Sequence, residues 1–369
     1  MRWDAVIAGG GVSGLSLACH LAVGGWRDRS VLVVDDGSRV LAERAWAYWS
    51  TRPGLLGAAV DRTFDQFRVR TAERAVDVRL DRYRYRVVSG ARLRWVTDGV
   101  LAGPPRFRMV RGHVEGVEER GDGVVVRVDG RPIEASWLFD SVTPTPAPRP
   151  AAWLTFTGWE VETPSPMFDP VVPTLMDFRT GQEDEVRFVY VLPSGPCRAL
   201  VEHTRFGAGR YCDGAAALHD YLTGVIGTST YRVIRREGGR LPLRPPPCRP
   251  STGHVLPIGV VGGMLKASTG YAYARIQRDS AAIARSLATR GHPFGRPNRH
   301  RRHAFLDRVL LDIVATEPGR LEGAFVRLFA HNPGDRVLRF LDEDTSLGQE
   351  VMLVATLPPA PFLRAMLRR

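Results

Sequence analysis

The sequence predicts a mixed α/β (α+β) fold in which a split Rossmann-type domain carries an inserted β-rich domain and a helical C-terminal cap. Three observations predict this fold. Residues 4–8 form an apolar strand that passes through a glycine run into a helix at 15–23, followed by a second apolar strand at 31–34. Strand-like alternation dominates the middle of the chain. Residues 303–369 have a mostly helical pattern.

The chain is expected to return to its first domain after the insertion. A strand at 255–261, a glycine pair and a long helix at 273–289 would complete that domain. A proline-rich stretch at 144–150 is the expected linker, and 369 residues exceed what one hydrophobic core usually organises. The predicted units are a split domain at 1–145 and 251–292, a β-rich substrate domain at 150–250 and a helical C-terminal region at 293–369.

Two strand-rich stretches precede the linker. Residues 66–96 alternate apolar with charged side chains, which predicts half-exposed strands. Residues 107–139 contain a hairpin pattern around Gly121-Asp122-Gly123.

Composition limits the classes of partner. The net charge is +12, and every basic residue except Lys266 is arginine. These arginines are scattered through predicted strands and helices without a long basic block, and no zinc-finger spacing occurs. We therefore expect no nucleic-acid partner. The positive net charge indicates either a general bias towards arginine in the composition or attraction to anionic lipid.

The cysteines and the hydropathy pattern indicate a reducing, cytoplasmic setting. Cys19, Cys197, Cys212 and Cys248 form no CxxC pair, so neither a metal site nor a disulfide framework is expected. A strand begins almost at the first residue, which leaves no room for a signal peptide. No apolar run approaches the roughly 20 residues of a membrane-spanning helix. The expected location is cytoplasmic, with at most a peripheral membrane contact.

The glycine run predicts a dinucleotide site. Gly9, Gly11 and Gly14 follow the Gly-x-Gly-x-x-Gly spacing between a strand and a helix, and Asp35 ends the next strand. The backbone at Gly11, Val12 and Ser13 would approach the pyrophosphate, and Asp35 would accept hydrogen bonds from the adenosine ribose. The alternative is a glycine-rich turn without a ligand.

A second glycine-rich loop at 258–271 links a strand to a helix. Gly262, Gly263 and Thr269 would present backbone groups to a flavin ring, and Lys266 would add a positive charge. The alternative is an ordinary turn with a solvated lysine. This second element and the N-terminal fingerprint favour FAD over NAD, although the fingerprint itself chooses poorly between them.

Several segments, in their order along the chain, resemble bacterial lycopene β-cyclases. They are Arg44-Ala45-Trp46-Ala47-Tyr48-Trp49, Trp137-Leu138-Phe139-Asp140-Ser141, Phe156-Thr157-Gly158-Trp159-Glu160-Val161-Glu162-Thr163, Met176-Asp177-Phe178-Arg179, Phe188-Val189-Tyr190-Val191-Leu192-Pro193, Val201-Glu202-His203-Thr204-Arg205-Phe206, Ser268-Thr269-Gly270-Tyr271 and Val337-Leu338-Arg339-Phe340-Leu341-Asp342-Glu343. The resemblance covers nearly the whole chain.

The resemblance implies a reaction without net redox change. A terminal alkene of a hydrophobic polyprenoid is protonated, a neighbouring double bond attacks the cation, and proton loss leaves a ring. It also implies reduced FAD, with NAD(P)H as the reductant, and Arg44 and Asp140 as further cofactor contacts. Asp140 could instead cap a turn. The Gly-Asp and Asp-Gly motifs of ordinary flavin monooxygenases are missing here, which argues against that class.

The resemblance matches Glu202 to the essential acid of a Glu-x-Thr motif. A carboxyl group that ends the apolar run 199–201 suits alkene protonation, because desolvation keeps it neutral. Glu237 lies where the family tends to carry two acidic residues, one of them replaced here by arginine; it is a second acid, a proton acceptor or a surface charge. His203 would point to the opposite face of the strand. Aromatic side chains that could surround a cation are Trp46, Trp49, Trp159, Phe188, Tyr190 and Tyr271.

Two other functions stay open at this stage. One is a flavin redox enzyme, such as a polyprenyl reductase or an epoxidase, and the other is a flavoprotein that only carries a lipid. The apolar segment 353–369, which has a basic end, is either a membrane contact or a helix packed on the protein.

Overall fold

A computed structural model describes residues 2–143, 149–207, 214–244, 252–296 and 301–368. Residues 144–148 of the predicted linker, together with Cys212 and Cys248, lie outside these ranges.

Within these ranges the chain alternates strands and helices. The strands are β1 (Trp3–Ala8), β2 (Val31–Asp35), β3 (Ala45–Ser50), β4 (Val60–Phe64), β5 (Gln66–Arg70), β6 (Ala75–Arg79), β7 (Arg84–Ser89), β8 (Phe107–Arg111), β9 (Val114–Arg120), β10 (Gly123–Val128), β11 (Arg131–Asp140), β12 (Ala152–Glu162), β13 (Thr174–Asp177), β14 (Val186–Gly195), β15 (Arg198–Gly207), β16 (Arg232–Leu243) and β17 (Val255–Pro257). The α-helices are α1 (Val12–Val23), α2 (Gly90–Leu101), α3 (Ala215–Asp220), α4 (Tyr273–Arg290), α5 (Arg301–Thr316), α6 (Leu321–Ala330), α7 (Gly334–Leu341), α8 (Leu347–Val354) and α9 (Pro359–Leu367).

The first sheet confirms the predicted Rossmann-type domain. Its strands run in the order β8-β2-β1-β11-β10-β9, and β17 pairs with β11. The strands around β1 are parallel, and the apolar side chains of β1 and β2 are almost completely buried. Strands covered on both faces need such uninterrupted apolar runs. Helices α1 and α4 pack together beside this sheet.

The second sheet is the β-rich part of the molecule. Its order is β16-β12-β15-β14-β13-β5-β6, and the three long neighbours β12, β15 and β14 are antiparallel. Strands β3, β7 and β4 form a third, smaller sheet. Because β5 and β6 precede the predicted boundary at residue 150 and yet join the second sheet, the division into domains stays a prediction.

Two local expectations need correction. Residues 90–96 were expected to continue a strand, but α2 begins at Gly90, where the Ser89 hydroxyl accepts a hydrogen bond from the Arg92 backbone N–H at 3.3 Å. This is the usual helix N-cap. The strand expected at 255–261 ends at Pro257, because Gly259 (φ +61°) turns the chain.

The helical C-terminal region packs against one face of the second sheet. Buried apolar side chains of α5, α6, α7, α8 and α9 join those of β5, β12, β14 and β15 in a single core cluster. The prediction that residues 303–369 are mostly helical is confirmed. The helices and the sheet enclose an apolar space that forms part of the candidate site.

Candidate active site

The N-terminal glycine run has the geometry of a phosphate cradle. Gly9 has a φ of +100°, and a Cβ at Gly14 would lie 1.9 Å from the Gly9 carbonyl oxygen. A Cβ at Gly11, by contrast, would meet nothing within 4 Å. Helix α1 begins there without a side-chain cap, so no capping side chain occupies its first backbone N–H groups, those of Val12 and Ser13. The run therefore fits an anionic group at a helix N-terminus.

Asp35 shapes this cradle from the end of β2. Its carboxylate accepts hydrogen bonds from the Gly10 N–H at 2.6 Å and from the Gly37 N–H at 2.9 Å. Asp140 acts differently: it is 5% exposed and accepts hydrogen bonds from Val142 and Thr143, both at 2.9 Å. Asp140 therefore caps the turn that follows β11, which is the alternative considered from the sequence.

The second glycine loop lies against the start of α1, because a Cβ at Gly259 would approach the Ser13 hydroxyl to 2.1 Å. The N–H groups of Gly262 and Gly263 donate to the Ile258 and Val260 carbonyl oxygens, both at 3.0 Å. The expectation that these two groups face a ligand needs correction, because the turn itself already uses them. Only the placement of the loop beside the cradle follows from the structure.

Lys266 is neither a solvated lysine nor a free positive charge. It is 4% exposed, and its ammonium contacts the carboxylates of Asp307 at 2.9 Å and Glu343 at 3.0 Å. Burial acts to raise the pKa of Glu343, but Lys266 and Arg275 outweigh it and hold the pKa at about 2. The lysine charge is thus balanced within the protein, which argues against the predicted role beside a flavin.

An apolar cavity lies between the second sheet and the C-terminal helices. Strands β13, β14 and β15 form its floor, α5, α6, α7, α8 and α9 form its roof, and residues 266–271, Thr269 among them, form one wall. Five aromatic side chains line it: Phe188, Tyr190 and Phe206 from the second sheet, Tyr271 from this wall, and Trp49 from β3 of the third sheet. A cavity of this lining suits a hydrophobic ligand.

Not all of the predicted aromatic residues reach this cavity. Trp49 does, with its ring 4.4 Å from that of Tyr271. Trp46 packs instead with Tyr48 and Tyr273 on the other face of β3, as an offset of three residues on a strand requires. Trp159 is 8% exposed and packs in the core cluster on the opposite face of β12. The prediction that Trp46 and Trp159 share a cavity with Glu202 is therefore wrong.

The two candidate acids lie in one row across four strands. Glu202 on β15 is directly opposite Tyr190 on β14 and Gly158 on β12, and Gly158 is directly opposite Glu237 on β16. Residues opposite each other on neighbouring strands point to the same face of a sheet. Tyr190, Glu202 and Glu237 therefore share a face with Phe188, which lines the cavity two residues along β14.

The surroundings of Glu202 favour its protonated form. Its carboxyl group lies deep within the protein, although part of the side chain is accessible. Burial, and next the negative charge of Glu237, raise the pKa of Glu202 to about 8. The Thr204 hydroxyl donates a hydrogen bond to Glu202 Oε1 at 3.0 Å and opposes this shift, as Arg235 does. A carboxyl group neutral at pH 7 can donate a proton.

Glu237 is a buried, ion-paired carboxylate, so the surface-charge alternative is excluded. Its side chain is 3% exposed and contacts Arg235 Nη1 at 2.7 Å, and it accepts a hydrogen bond from the Ala45 N–H at 3.0 Å. Burial raises the pKa of Glu237, while Arg235 opposes the rise. Arg44 donates to the Gly238 carbonyl oxygen at 2.6 Å, so it links β16 to the segment before β3.

Tyr85 is a site residue that the sequence analysis missed. It is completely buried, and its hydroxyl lies 3.0 Å from that of Tyr271, which in turn lies 3.5 Å from that of Tyr190. Burial raises the pKa of all three tyrosines well above the ordinary value, so they stay neutral beside Glu202. The alternation of β7, with Tyr85 among arginines and valines, was the available signal.

His203 behaves as the strand period predicts. It is 3% exposed on the face away from Glu202, and burial lowers its pKa to about 4. Among the described residues, no cluster of histidine, cysteine and carboxylate side chains could hold a metal ion.

A family model described as lycopene cyclase protein matches residues 4–367. The chain belongs to the lycopene cyclase family. It is 30% identical over 276 residues to a lycopene beta-cyclase of Paracoccus sp., an alignment that covers 67% of this chain and 69% of the relative. It is 25% identical over 232 residues to a lycopene beta-cyclase of Pantoea ananas, covering 56% of each. The resemblance read from the sequence is thereby confirmed.

Solved structures confirm the fold of this lycopene cyclase family member. A geranylgeranyl bacteriochlorophyll reductase-like protein from Thermoplasma acidophilum aligns with a TM-score of 0.65, covering 98% of both chains at 13% identity. Klebsiella pneumoniae HpxO, solved with FAD and uric acid, aligns with a TM-score of 0.64, covering 92% of this chain and 96% of that one at 16% identity. At such identities the likeness concerns the fold alone.

No helix in the part of the chain that the structure describes combines the length and the apolar character needed to span a bilayer.

Proposed function

We propose that this protein is a reduced-FAD-dependent cyclase that closes a six-membered ring at the end of an acyclic polyprenoid, without net redox change. The observation that carries this proposal is the place of the buried Glu202 carboxyl group, on the face of β15 that continues into the apolar cavity, where burial and Glu237 raise its pKa to about 8. Alkenes are very weak bases, so their protonation needs a neutral carboxyl group in a dry site. Family membership supports a lycopene-like substrate.

The proposed reaction moves one proton and leaves the composition of the substrate unchanged. Glu202 transfers its proton to the terminal carbon–carbon double bond, which leaves a tertiary cation on the substrate and a carboxylate on Glu202. The electron pair of a neighbouring double bond then closes the ring and moves the cation into it. Loss of a ring proton to the Glu202 carboxylate forms the final double bond and leaves Glu202 protonated again.

The surroundings of the cavity suit a cationic intermediate. The faces of aromatic rings attract cations. Trp49, Tyr190 and Tyr271 line the cavity, and Tyr271 contacts both of the other two. The Glu237 carboxylate adds negative charge on the same face as Glu202. Fixed charge and aromatic faces in a water-poor cavity stabilise a developing cation more strongly than solvent does.

The cradle at Gly9, Gly11 and Gly14 would hold the pyrophosphate of FAD, with Asp35 at the ribose end. Reduced flavin, when bound, supplies an electron-rich ring that stabilises positive charge nearby. NAD(P)H is the proposed reductant.

The direct test is an anaerobic incubation with FAD, dithionite or NADPH, and lycopene in liposomes. Products are followed by mass and absorbance for the unmodified protein, Glu202→Gln and the control Glu118→Gln, which alters an exposed carboxylate on β9. We expect a product of unchanged mass and shifted spectrum, lost only in Glu202→Gln. A mass change of two hydrogens or of one oxygen would place the protein among flavin redox enzymes. Unaltered function of Glu202→Gln would indicate a carrier.

A peripheral membrane contact at the C-terminal helices, on the cytoplasmic side, belongs to the same proposal. Phe362 and Met366 of α9 line the cavity, whereas Leu363 and Leu367, each one residue further along the helix, are 56% and 87% exposed. An amphipathic helix with exposed leucines suits the bilayer surface in which a polyprenoid resides. Deletion of 353–369 would also remove core residues such as Leu353 and Ala365, so substitutions are the cleaner test.

The membrane contact is tested by flotation with anionic vesicles. We expect Leu363→Glu with Leu367→Glu to abolish flotation, and Val23→Glu, which alters an equally exposed apolar residue on α1, to leave it unchanged. Equal flotation of all three proteins would refute the contact at α9 without affecting the proposed chemistry.

A further inference from the structure

The row of residues between the two carboxyl groups contains a glycine. Gly158 on β12 lies between Glu202 on β15 and Glu237 on β16, directly opposite both. A side chain at this position would project from the same face as the two acids. Its absence leaves a gap in the row at the one place where a side chain would separate them.

The Glu237 side chain extends over this gap. A Cβ at Gly158 would lie 3.0 Å from Glu237 Cγ and 3.4 Å from its Oε1. Leu200, which precedes Glu202 by two residues on the same face, approaches the same point to 3.4 Å through its Cδ1. The space above Gly158 is therefore occupied by Glu237 from one side and by the strand of Glu202 from the other.

Two contacts hold Glu237 in this position. Its Oε2 accepts hydrogen bonds from Arg235 Nη1 at 2.7 Å and from the Ala45 N–H at 3.0 Å. These donors favour the ionised form of Glu237. Arg235 is itself held by Glu160 at 3.0 Å and by the Glu43 carbonyl oxygen at 2.7 Å, so the carboxylate has a rigid partner.

We propose that Gly158 is a positioning residue, whose missing side chain allows the Glu237 carboxylate to lie beside Glu202 and to act with it as a coupled acid–base pair. This inference rests on the proposed function and extends it. Glu237 is then required as a negative charge that keeps the proton on Glu202. A larger residue at 158 would displace Glu237 by a few tenths of an ångström or more and weaken that interaction.

Other groups face Glu202 as well. Tyr190 from β14, Tyr271 from the loop at 266–271 and Tyr85 from β7 are neutral, while Thr204 donates to Glu202 from its own strand. Arg235 is the positive charge nearby, and it acts on both carboxyl groups. Glu160, on the same face of β12 as Gly158, is paired with Arg198 at 2.6 Å and with Arg235 at 3.0 Å. Among the described residues, Glu237 is the carboxylate whose negative charge raises the pKa of Glu202.

The test measures the coupling between the two carboxyl groups in the full-length protein with FAD. Infrared difference spectra record the C=O band of the protonated carboxyl that disappears in Glu202→Gln, as a function of pH. Relative to the unmodified protein, the single substitution Glu237→Gln should move the midpoint of this band down by about one pH unit, since it removes a nearby like charge. In a Gly158→Ala background the same substitution should move the midpoint by less than half as much.

The comparison of Glu237→Gln with and without Gly158→Ala is a double-mutant cycle. The added methyl group desolvates Glu202 equally in Gly158→Ala and in Gly158→Ala with Glu237→Gln, so this effect cancels and only the change in the position of Glu237 is measured. The matched background is Gly195→Ala on β14, where a Cβ meets nothing within 4 Å, and it should retain the full shift. An equal shift in the Gly158→Ala and Gly195→Ala backgrounds would overturn the inference.

A second variant covers a failure of Gly158→Ala to fold, which circular dichroism would reveal. Glu237→Asp withdraws the carboxylate by one methylene from the space above Gly158 and should lower the midpoint less than Glu237→Gln does. An unchanged midpoint in Glu237→Asp and Glu237→Gln would overturn the inference while Glu202 could still be the acid. A midpoint near 4.5 in the unmodified protein would instead refute the proposed function.

Discussion

Tyr190 and Glu202 lie directly opposite each other on β14 and β15, and their side chains point to the same face of the second sheet. Tyr190 lines the apolar cavity, so Glu202 is one strand away from the residues that would contact a substrate. This pairing places a neutral acid at the edge of an apolar space.

The pH dependence of activity should reflect the raised pKa of Glu202. The reaction needs the protonated acid, so the rate at saturating substrate should fall as pH rises through about 8. Glu237→Gln should move this descending limb to lower pH, because it removes the charge that opposes ionisation of Glu202. A rate that stays constant from pH 6 to pH 10 would contradict the role of Glu202.

The same pKa predicts a change in stability. A carboxyl group whose pKa is higher in the folded than in the unfolded state stabilises the protein at low pH and loses that contribution as pH rises. For Glu202 the window extends from about 4.5 to about 8. We expect Glu202→Gln to unfold at a higher temperature than the unmodified protein at pH 8.5, and the difference to shrink towards pH 5, as measured by calorimetry.

Lys266→Met should destabilise the protein strongly. It would leave the buried carboxylates of Asp307 and Glu343 without their shared cation, at a cost of about 3–5 kcal/mol in the free energy of unfolding. Urea unfolding measures this cost, and Arg364→Ala, which breaks an exposed pair with Glu317, should have no measurable effect. Recovery of stability in Lys266→Met with Glu343→Gln would confirm the cause.

Two glycine substitutions should separate folding from cofactor binding. Gly11→Ala places its methyl group in open space, so the melting temperature of the FAD-free protein should not change, while the Kd for FAD should rise at least about tenfold as the phosphate is pushed away. Gly14→Ala places its methyl group against the Gly9 carbonyl oxygen and should lower the melting temperature as well. Flavin fluorescence titration and thermal unfolding measure both. Unchanged FAD affinity in Gly11→Ala would refute the cradle.

The two tryptophans that the structure separates should differ in their effect on turnover. Trp49→Leu removes an aromatic face from the cavity and should lower kcat by roughly tenfold, because cation–π contacts contribute about 1–2 kcal/mol. Trp159→Leu alters the core on the other face of β12 and should affect the melting temperature more than kcat. The reverse order in the cyclisation assay would place the substrate on the other face of the sheet.

Local sequence patterns were sufficient for the parts of this protein that depend on neighbouring residues. The spacing of Gly9, Gly11 and Gly14 between a strand and a helix predicted the cradle, because backbone conformation and helix N-termini are local properties. The apolar run 199–201 before Glu202 predicted a buried strand, because hydrophobic patterning is also a local property of the sequence. The period of a strand also separates Trp46 from Trp49, a distinction that the sequence offered and the prediction overlooked.

Only the tertiary structure decided which strands are neighbours. Glu202, Gly158 and Glu237 come from three strands far apart in the chain, and long-range pairing places them in one row. The same holds for Lys266, whose carboxylate partners lie 41 and 77 residues away. A single sequence contains strand periodicity but not strand register, and burial of a charge depends on what covers it. Glu202 was therefore predicted as a candidate acid from the sequence, whereas the partners that set its protonation came only from the structure.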